Sequence, residues 1–353
     1  MLRSFARRGG IVLAALALPM LLIGGAASAA PTTNKLASAT LNGDGSTFQL
    51  GFNQVVIGSF KPTQKAVTIN YQGNGSGTGR TDFVNGVVDF AGTDAPYKTT
   101  DPQPPKPFLY FPTVVAPITV SYNLSGVSKL RLSPDTAAKI FSGAITTWND
   151  AAIKSDNPSA KLPSTAITVV HRSDSSGTTA NFTSWLTKAA PTSWTLGSGS
   201  TVSWGSGTQG ATGNSGVAKL VKDTDGAIGY VDFSDANASD LTFASIKNSS
   251  GKFIVPNLVS AAAAAQGATV NANLTYDPIN ASGAGAYPIT SPTWIIVYKD
   301  QTDAAKGQAI KAFLNYIYKQ GQALAGSVDY APLPKALLKQ AKAQVSTITV
   351  PAS

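Results

Sequence analysis

Three turns in this chain share one composition, with glycines interleaved with serine and threonine where a helix is about to start. GDGSTF spans residues 43–48, GNGSGTGRTDF residues 73–83 and HRSDSSGTTANF residues 171–182. Ser, Thr and Asp at such positions cap the backbone N–H groups that a first helical turn leaves unpaired. Those N–H groups and the helix dipole also attract anions, so three such turns can converge on one small oxyanion. Taken singly, each reads as an ordinary helix cap. The second turn has no Gly-Lys-Ser/Thr ending and no GxGxxG spacing, so it matches neither nucleotide-binding loop. The third stands out because Arg172 directly precedes it. A guanidinium grips an oxyanion through two parallel bonds, and Ser176 and Thr178 offer hydroxyls beside it.

Asp94, in VDFAGTDAP, at first contradicts an anion site. Its carboxylate repels a fully ionised ligand but accepts a hydrogen bond from one that still carries a proton. Phosphate carries one or two protons near neutral pH and sulfate carries none. An acceptor facing another acceptor costs on the order of a few kcal/mol, enough for strong discrimination. The competing reading of Asp94 is an Asx-turn ahead of Pro96.

A single histidine, His171, and no cysteine exclude a disulfide framework, a thiolate zinc site, a cysteine nucleophile and a multi-histidine metal centre. No metal or cofactor is therefore assigned. A phosphate-ester hydrolase using Ser176 or Ser175 as nucleophile stays open, but its base has to be His171. Strand alternation sends His171 to the side of Val169 and Arg172 to the opposite side. His171 then reads as a strand or rim residue, and no catalytic residue is assigned.

Arg3, Arg7 and Arg8 precede an apolar run over residues 11–23 that ends in GGAASAA. This is the pattern of a secretory signal peptide over residues 1–29, cleaved after Ala29. The run is short for a bilayer span of about 20 residues. With no cysteine there is no residue to acylate, so a lipoprotein is excluded. The formal charge of +9 (27 basic, 18 acidic residues) includes the three leader arginines, so the mature chain carries +6. That charge is dispersed with no basic run, which argues against nucleic acid as a partner. The expected compartment is the periplasm or the exterior.

Stepping outward from the turns, short β-rich runs alternate with helical stripes. Strands are read at residues 67–73, 87–92, 113–123, 166–172, 227–233 and 286–299. Helical spacing appears at Phe48, Phe52, Val55, Val56 and Phe60, at Phe182, Trp185, Leu186 and Ala189, and through residues 304–320. Alternation of this kind predicts an α/β architecture. The proline-dense stretch DPQPPKPFLYFP (101–112) reads as an extended surface connection, and the glycine-rich stretch 197–216 as a long loop or hairpin.

Together these segments resemble the periplasmic phosphate-binding proteins (PstS) of bacterial high-affinity phosphate ABC transporters. The matching stretches are GDGSTF, INYQGNGSGTGRTDF, VDFAGTDAP, FPTVVAPITVSYNL, IFSGAITTWND, ITVVHRSDSSGTTANFTSWL, GAIGYV and AYPITSPTWIIVYKD, in the family's order from Leu41 to about Pro334. The resemblance implies a two-lobe periplasmic-binding-protein (type 2 solute-binding) fold with hinge strands and a central ligand cleft. One lobe is expected over residues 30–122 plus 287–353 and the other over 123–286. Carried over by motif, Thr47 and Phe48 present backbone N–H groups, Thr47 and Ser76 donate hydroxyls, and Asp94 accepts the phosphate proton. Arg172 pairs with phosphate oxygens, Ser176, Gly177 and Thr178 complete the shell, and Asp174 orients Arg172. The implied role is capture of inorganic phosphate by a monomer without turnover, for delivery to permease and ATPase subunits of an importer. A binder of another oxyanion, such as sulfate or molybdate, is the remaining alternative beside the hydrolase. Two residues depart from the family pattern: Asp44, where small residues are usual, and Asn74, where an apolar residue is common.

Overall fold

The computed structural model describes residues 36–352, so the signal peptide read over residues 1–29 lies outside the described residues. Among the described residues no helix is long and apolar enough to cross a membrane. Twelve strands are described: β1 (Ala39–Gly45), β2 (Val67–Gln72), β3 (Phe90–Thr93), β4 (Phe108–Tyr122), β5 (Arg131–Leu132), β6 (Thr168–Arg172), β7 (Gln209–Ala211), β8 (Ala227–Asp232), β9 (Thr242–Phe243), β10 (Ser245–Lys247), β11 (Phe253–Ile254) and β12 (Thr290–Tyr298). The helices are α1 (Leu50–Phe60), α2 (Ser76–Val84), α3 (Pro134–Phe141), α4 (Ala151–Asp156), α5 (Gly177–Ala189), α6 (Gly213–Asp223), α7 (Phe233–Ala238), α8 (Leu258–Gln266), α9 (Ala304–Tyr316), α10 (Gln322–Leu324) and α11 (Lys335–Val345).

Nine strands form one curled sheet in the order β2-β1-β3-β12-β4-β8-β6-β7, with β9 also on β4. β5, β10 and β11 form a separate three-stranded sheet. The long strand β4, buried from Tyr110 to its end, is the spine of the large sheet. Its first part pairs antiparallel with β12 as far as Pro117, and from Ile118 it pairs with β8. Proline has no N–H to give to a ladder, which confines it to places where pairing lapses. Pro117 stands where β4 changes partner, and the β12 ladder itself shifts register between Pro292 and Trp294. The spine therefore divides the sheet into a β12 side, carrying β1, β2 and β3, and a β8 side, carrying β6 and β7.

Several segments differ from the sequence reading. Phe108–Pro112 is not surface connection but the first third of β4, because Tyr110 and Phe111 are buried against β12. The strand read at 87–92 starts only at Phe90, after a turn in which Gly86 takes φ +69. β1 was not expected, since NGDG reads as turn. Gly43 lies inside β1 because the Phe90 ring occupies the place of a side chain, 2.3 Å from a Cβ built there. The glycine-rich stretch 197–216 contains β7 and opens α6. The helix read over 304–320 is α to Tyr316 and finishes as a π turn, Ile317–Gly321.

Candidate functional site

Chain connection brings the three glycine turns to one place. β1 and β3 are parallel neighbours, so the turn after β1 lies beside the end of β3, where Asp94 follows Thr93. Gly45 makes the bend possible with φ +137, since a Cβ there would stand 2.1 Å from Gly92 O. Ser46 N–H then closes on Gly92 O at 2.9 Å, and Gly75 N–H on Gly45 O at 2.8 Å, which locks the second turn onto the first. On the β8 side, parallel β6 and β7 deliver Arg172 and the N-termini of α5 and α6 to the same end of the sheet. Gly77 N–H donates to Ser175 O at 3.0 Å, so the second and third turns meet directly.

Asp94 is the centre of the polar cluster and is 1% exposed. Its Oδ1 accepts from Ser46 Oγ at 2.6 Å and from Thr293 Oγ1 at 2.6 Å. Its Oδ2 faces Ser46 Oγ at 2.7 Å and Ser76 Oγ at 3.3 Å. Asn181 donates to the Asp94 carbonyl at 2.7 Å and to Ser291 Oγ at 2.8 Å. Burial pushes the Asp94 carboxyl up to about 6, against the opposing pull of the Ser46, Thr293 and Ser76 hydroxyls and the Arg172 charge. Pro96 does not make this an Asx-turn residue: the carboxylate's partners come from β12, α2 and the first turn.

Arg172, 3% exposed, is held at the end of β6 by its own N–H, which donates to Tyr230 Oη at 3.0 Å. Its Nε donates to Asp174 Oδ1 at 2.7 Å and its Nη2 donates to Asp174 Oδ2. Burial raises the Asp174 carboxyl, but the Arg172 bonds and charge, with Gly213 N–H at 3.1 Å, hold it below the usual carboxylate range. One edge of the guanidinium is thus fixed, and Nη1 remains for another acceptor. The cation is already balanced by Asp174, so the arrangement offers an anion hydroxyls and helix N-termini more than net charge.

The other predicted residues lie in the same cluster. Ser76 is the first residue of α2 and Ser176 the N-cap of α5, its Oγ accepting Thr179 N–H at 3.1 Å. Gly177 and Thr178 form the first turn of α5, whose leading N–H groups have no carbonyl behind them in the helix. Phe48 buries its ring against Tyr330, whose hydroxyl donates to Phe48 O at 2.5 Å. Thr47 is half-buried, and its Oγ1 accepts from Asn214. The eight residues expected as ligands are therefore brought together, with Asp174 behind Arg172.

The two departures from the family pattern prove to be partners of each other. Asp44 is buried, and its Oδ2 accepts from Asn74 Nδ2 at 2.9 Å while Oδ1 accepts Asn74 N–H at 3.2 Å. The acid therefore braces the second turn. Sequence reasoning missed Ser46 and Thr293 as partners of Asp94, Tyr230 behind Arg172, and Asn214. Asn214 had a usable signal, since GATGNSG is a fourth glycine- and hydroxyl-rich turn opening a helix.

A curled sheet built on one long strand, with helix N-termini from both sides facing a buried polar cluster, defines a solute-binding protein. Residues 28–320 match the model of the PBP superfamily domain. A phosphate-binding protein PstS of Xylella fastidiosa is 36% identical over 322 residues, covering 89% of this chain and 86% of the relative. The phosphate-binding protein PstS 2 of Mycobacterium tuberculosis is 35% identical over 330 residues, covering 88% and 87%. The chain belongs to the PstS family of phosphate-binding proteins. Its fold is also that of a solved high-affinity periplasmic phosphate-binding protein (PfluDING) bound with phosphate, with a TM-score of 0.72, 23% identity and coverage of 87% and 94%.

Proposed function

We propose that this protein captures inorganic phosphate between two lobes and hands it to the permease and ATPase subunits of an ABC-type importer. The observation that carries the reading is the burial of both Asp94 and Arg172 in one cluster of donors, close enough for the Arg172 charge to act on the Asp94 carboxyl. Arg172, the hydroxyls and the N-termini of α2 and α5 suit an oxyanion. Asp94, a buried carboxylate among these donors, suits an oxyanion that retains a proton. The lobes are residues 30–122 with 287–353, and residues 123–286, which meet along β4 and β12. Export and cleavage near Ala29 place the mature protein in the periplasm or outside the cell.

Hydrolysis through Ser176 has less support. The Ser176 oxygen caps α5, and Ser175 Oγ bonds to Ser200 Oγ at 3.0 Å. His171 stacks on Trp204, its Nδ1 lies 2.9 Å from Arg172 O and its Nε2 lies 3.2 Å from Thr208 Oγ1. A nucleophile–base pair is not assembled.

Isothermal titration of phosphate-depleted protein tests the reading. Phosphate is expected to bind at least about 100-fold more tightly than sulfate, because sulfate sets acceptor against acceptor at Asp94. Equal affinities would remove Asp94 from this role, and no phosphate binding would sink the proposal.

A further inference from the structure

Asn214 is fully buried one residue into α6, directly after Gly213, which takes φ +71. Its Nδ2 donates to Thr47 Oγ1 at 3.0 Å and to Thr178 Oγ1 at 3.2 Å. An amide nitrogen has two hydrogens, so both are committed. Each threonine oxygen is thereby used as an acceptor, and each hydroxyl hydrogen is turned away from Asn214. Among the described residues neither hydroxyl has a protein acceptor of its own. Asn214 Oδ1 is also buried and has no partner, so the amide's whole hydrogen-bonding effort goes to these two threonines.

The three residues come from three elements. Thr47 follows β1 on the β12 side of the sheet, whereas Thr178 in α5 and Asn214 in α6 belong to the β8 side. The bond to Thr178 therefore stays within one side, while the bond to Thr47 crosses between them. Only an amide in this orientation does both tasks. A carboxylate at the same place would accept both hydroxyl hydrogens and would add a negative charge beside an anion. A reversed amide would take the hydrogens in the same way through its oxygen.

Resting on the phosphate reading above, we propose that Asn214 is a positioning residue. It aims the Thr47 and Thr178 hydroxyls at bound phosphate as donors and latches the Thr47 turn to α6 when the cleft is closed. It touches no phosphate oxygen itself, and its effect passes through the two threonines.

The test uses the mature protein and inorganic phosphate, with wild type, Asn214→Ala, Asn214→Asp and Asn214→Ala in a Thr47→Val/Thr178→Val background. Titration gives the affinity, stopped-flow release gives the dissociation rate, and phosphate-free melts report folding. Two hydrogen bonds of ordinary net worth correspond to a loss of roughly 10- to 100-fold for Asn214→Ala, mostly as faster release. In the double-valine background the same substitution is expected to change affinity by less than about 2-fold, because its route of action is gone. Asn214→Asp, which keeps the shape, is expected to bind at least about 100-fold more weakly. It carries the test should the alanine variant not fold. Wild-type affinity in either single variant overturns the inference, and so does an undiminished loss in the double-valine background. Wild type that fails to bind phosphate overturns the functional reading as well. A wild type that binds, with an unchanged variant, overturns this inference alone.

Discussion

Gly177 and Asp94 approach so closely that no methyl group fits between them. A Cβ built on Gly177 lies 2.5 Å from Asp94 Oδ2 and 2.6 Å from Ser76 Oγ. Gly177 belongs to the β8 side of the sheet and the other two to the β12 side, so this is where the sides touch. Alanine suits a helix start as well as glycine does. Gly177→Ala is therefore expected to fold normally and to hold the sides apart. Phosphate affinity should fall by roughly 5- to 150-fold, by analogy with overpacking penalties of about 1–3 kcal/mol, while the phosphate-free melting temperature stays near wild type. Titration beside a thermal melt decides, and wild-type affinity would show that the sides do not close to this distance.

The burial that pushes Asp94 up to about 6 also makes stability depend on pH. With its folded value above the unfolded one, the native state holds a proton on Asp94 between about pH 4 and 6 that the unfolded chain has lost. Stability from this group is thus largest in acid and declines as pH rises through 6. A rise of about two units corresponds to roughly 3 kcal/mol. Asp94→Asn removes that slope. The melting temperature of the phosphate-free variant, measured against wild type, should climb from pH 5 to pH 7.5. Asp174, whose shift has the opposite sign, and the raised Asp232 and Asp235 are common to both proteins and cancel in the difference. A pH-independent difference would mean that Asp94 titrates as an ordinary surface acid.

The three glycine turns at 43–48, 73–83 and 171–182 were legible from composition, but only Ser176 caps its helix through a side chain: α1 starts at Leu50 after Gln49 and α2 after Gly75, neither with a side-chain cap. Arg172 could be ranked because it directly precedes the third turn, and Asp94 because the family resemblance carried its role over from VDFAGTDAP. What stayed hidden depends on partners far away in sequence. Thr293 reads as one more residue of a strand until β12 lies against β3 and carries it to Asp94. Asn214 is the exception, since GATGNSG carried the same local signal as the other turns but sits in a stretch whose glycine content reads as loop. Tyr230 and Tyr330 reach the cluster only through their hydroxyls, from rings that pattern as core. Phe108–Pro112 was misplaced because prolines argue against a central strand, and nothing local shows that β4 changes partner at Pro117.

The Asp44–Asn74 pair should behave as a unit. Asn74→Ala leaves a buried carboxylate without its side-chain donor, so a loss of about 1–3 kcal/mol is expected in urea unfolding. Replacing both residues by alanine should cost less than the sum of the single changes, with a coupling of at least about 0.5 kcal/mol. Strict additivity would show that the two side chains do not depend on each other, and Asp44 would again be a free acid beside the site.

Arg172 offers the sharpest test of geometry against charge. Nε and Nη2 are fixed on Asp174, so the guanidinium reaches a ligand only because its planar fork has further donors. Lysine keeps the positive charge but presents its three donors from one nitrogen, so it cannot keep the two-point grip on Asp174 and offer a separate planar edge to the ligand. If charge alone held the anion, Arg172→Lys would bind phosphate nearly as well as wild type, and Arg172→Ala would not bind. If the fork is required, both variants should lose at least about 100-fold, since a buried charge-assisted bond is worth about 1.5–3 kcal/mol and more than one is lost. The second outcome is expected, because Arg172 and Asp174 already neutralise each other and the attraction left over is directional. Circular dichroism on both variants separates lost binding from lost fold. A lysine variant that binds within about 10-fold of wild type would assign the anion's hold to Coulomb attraction instead.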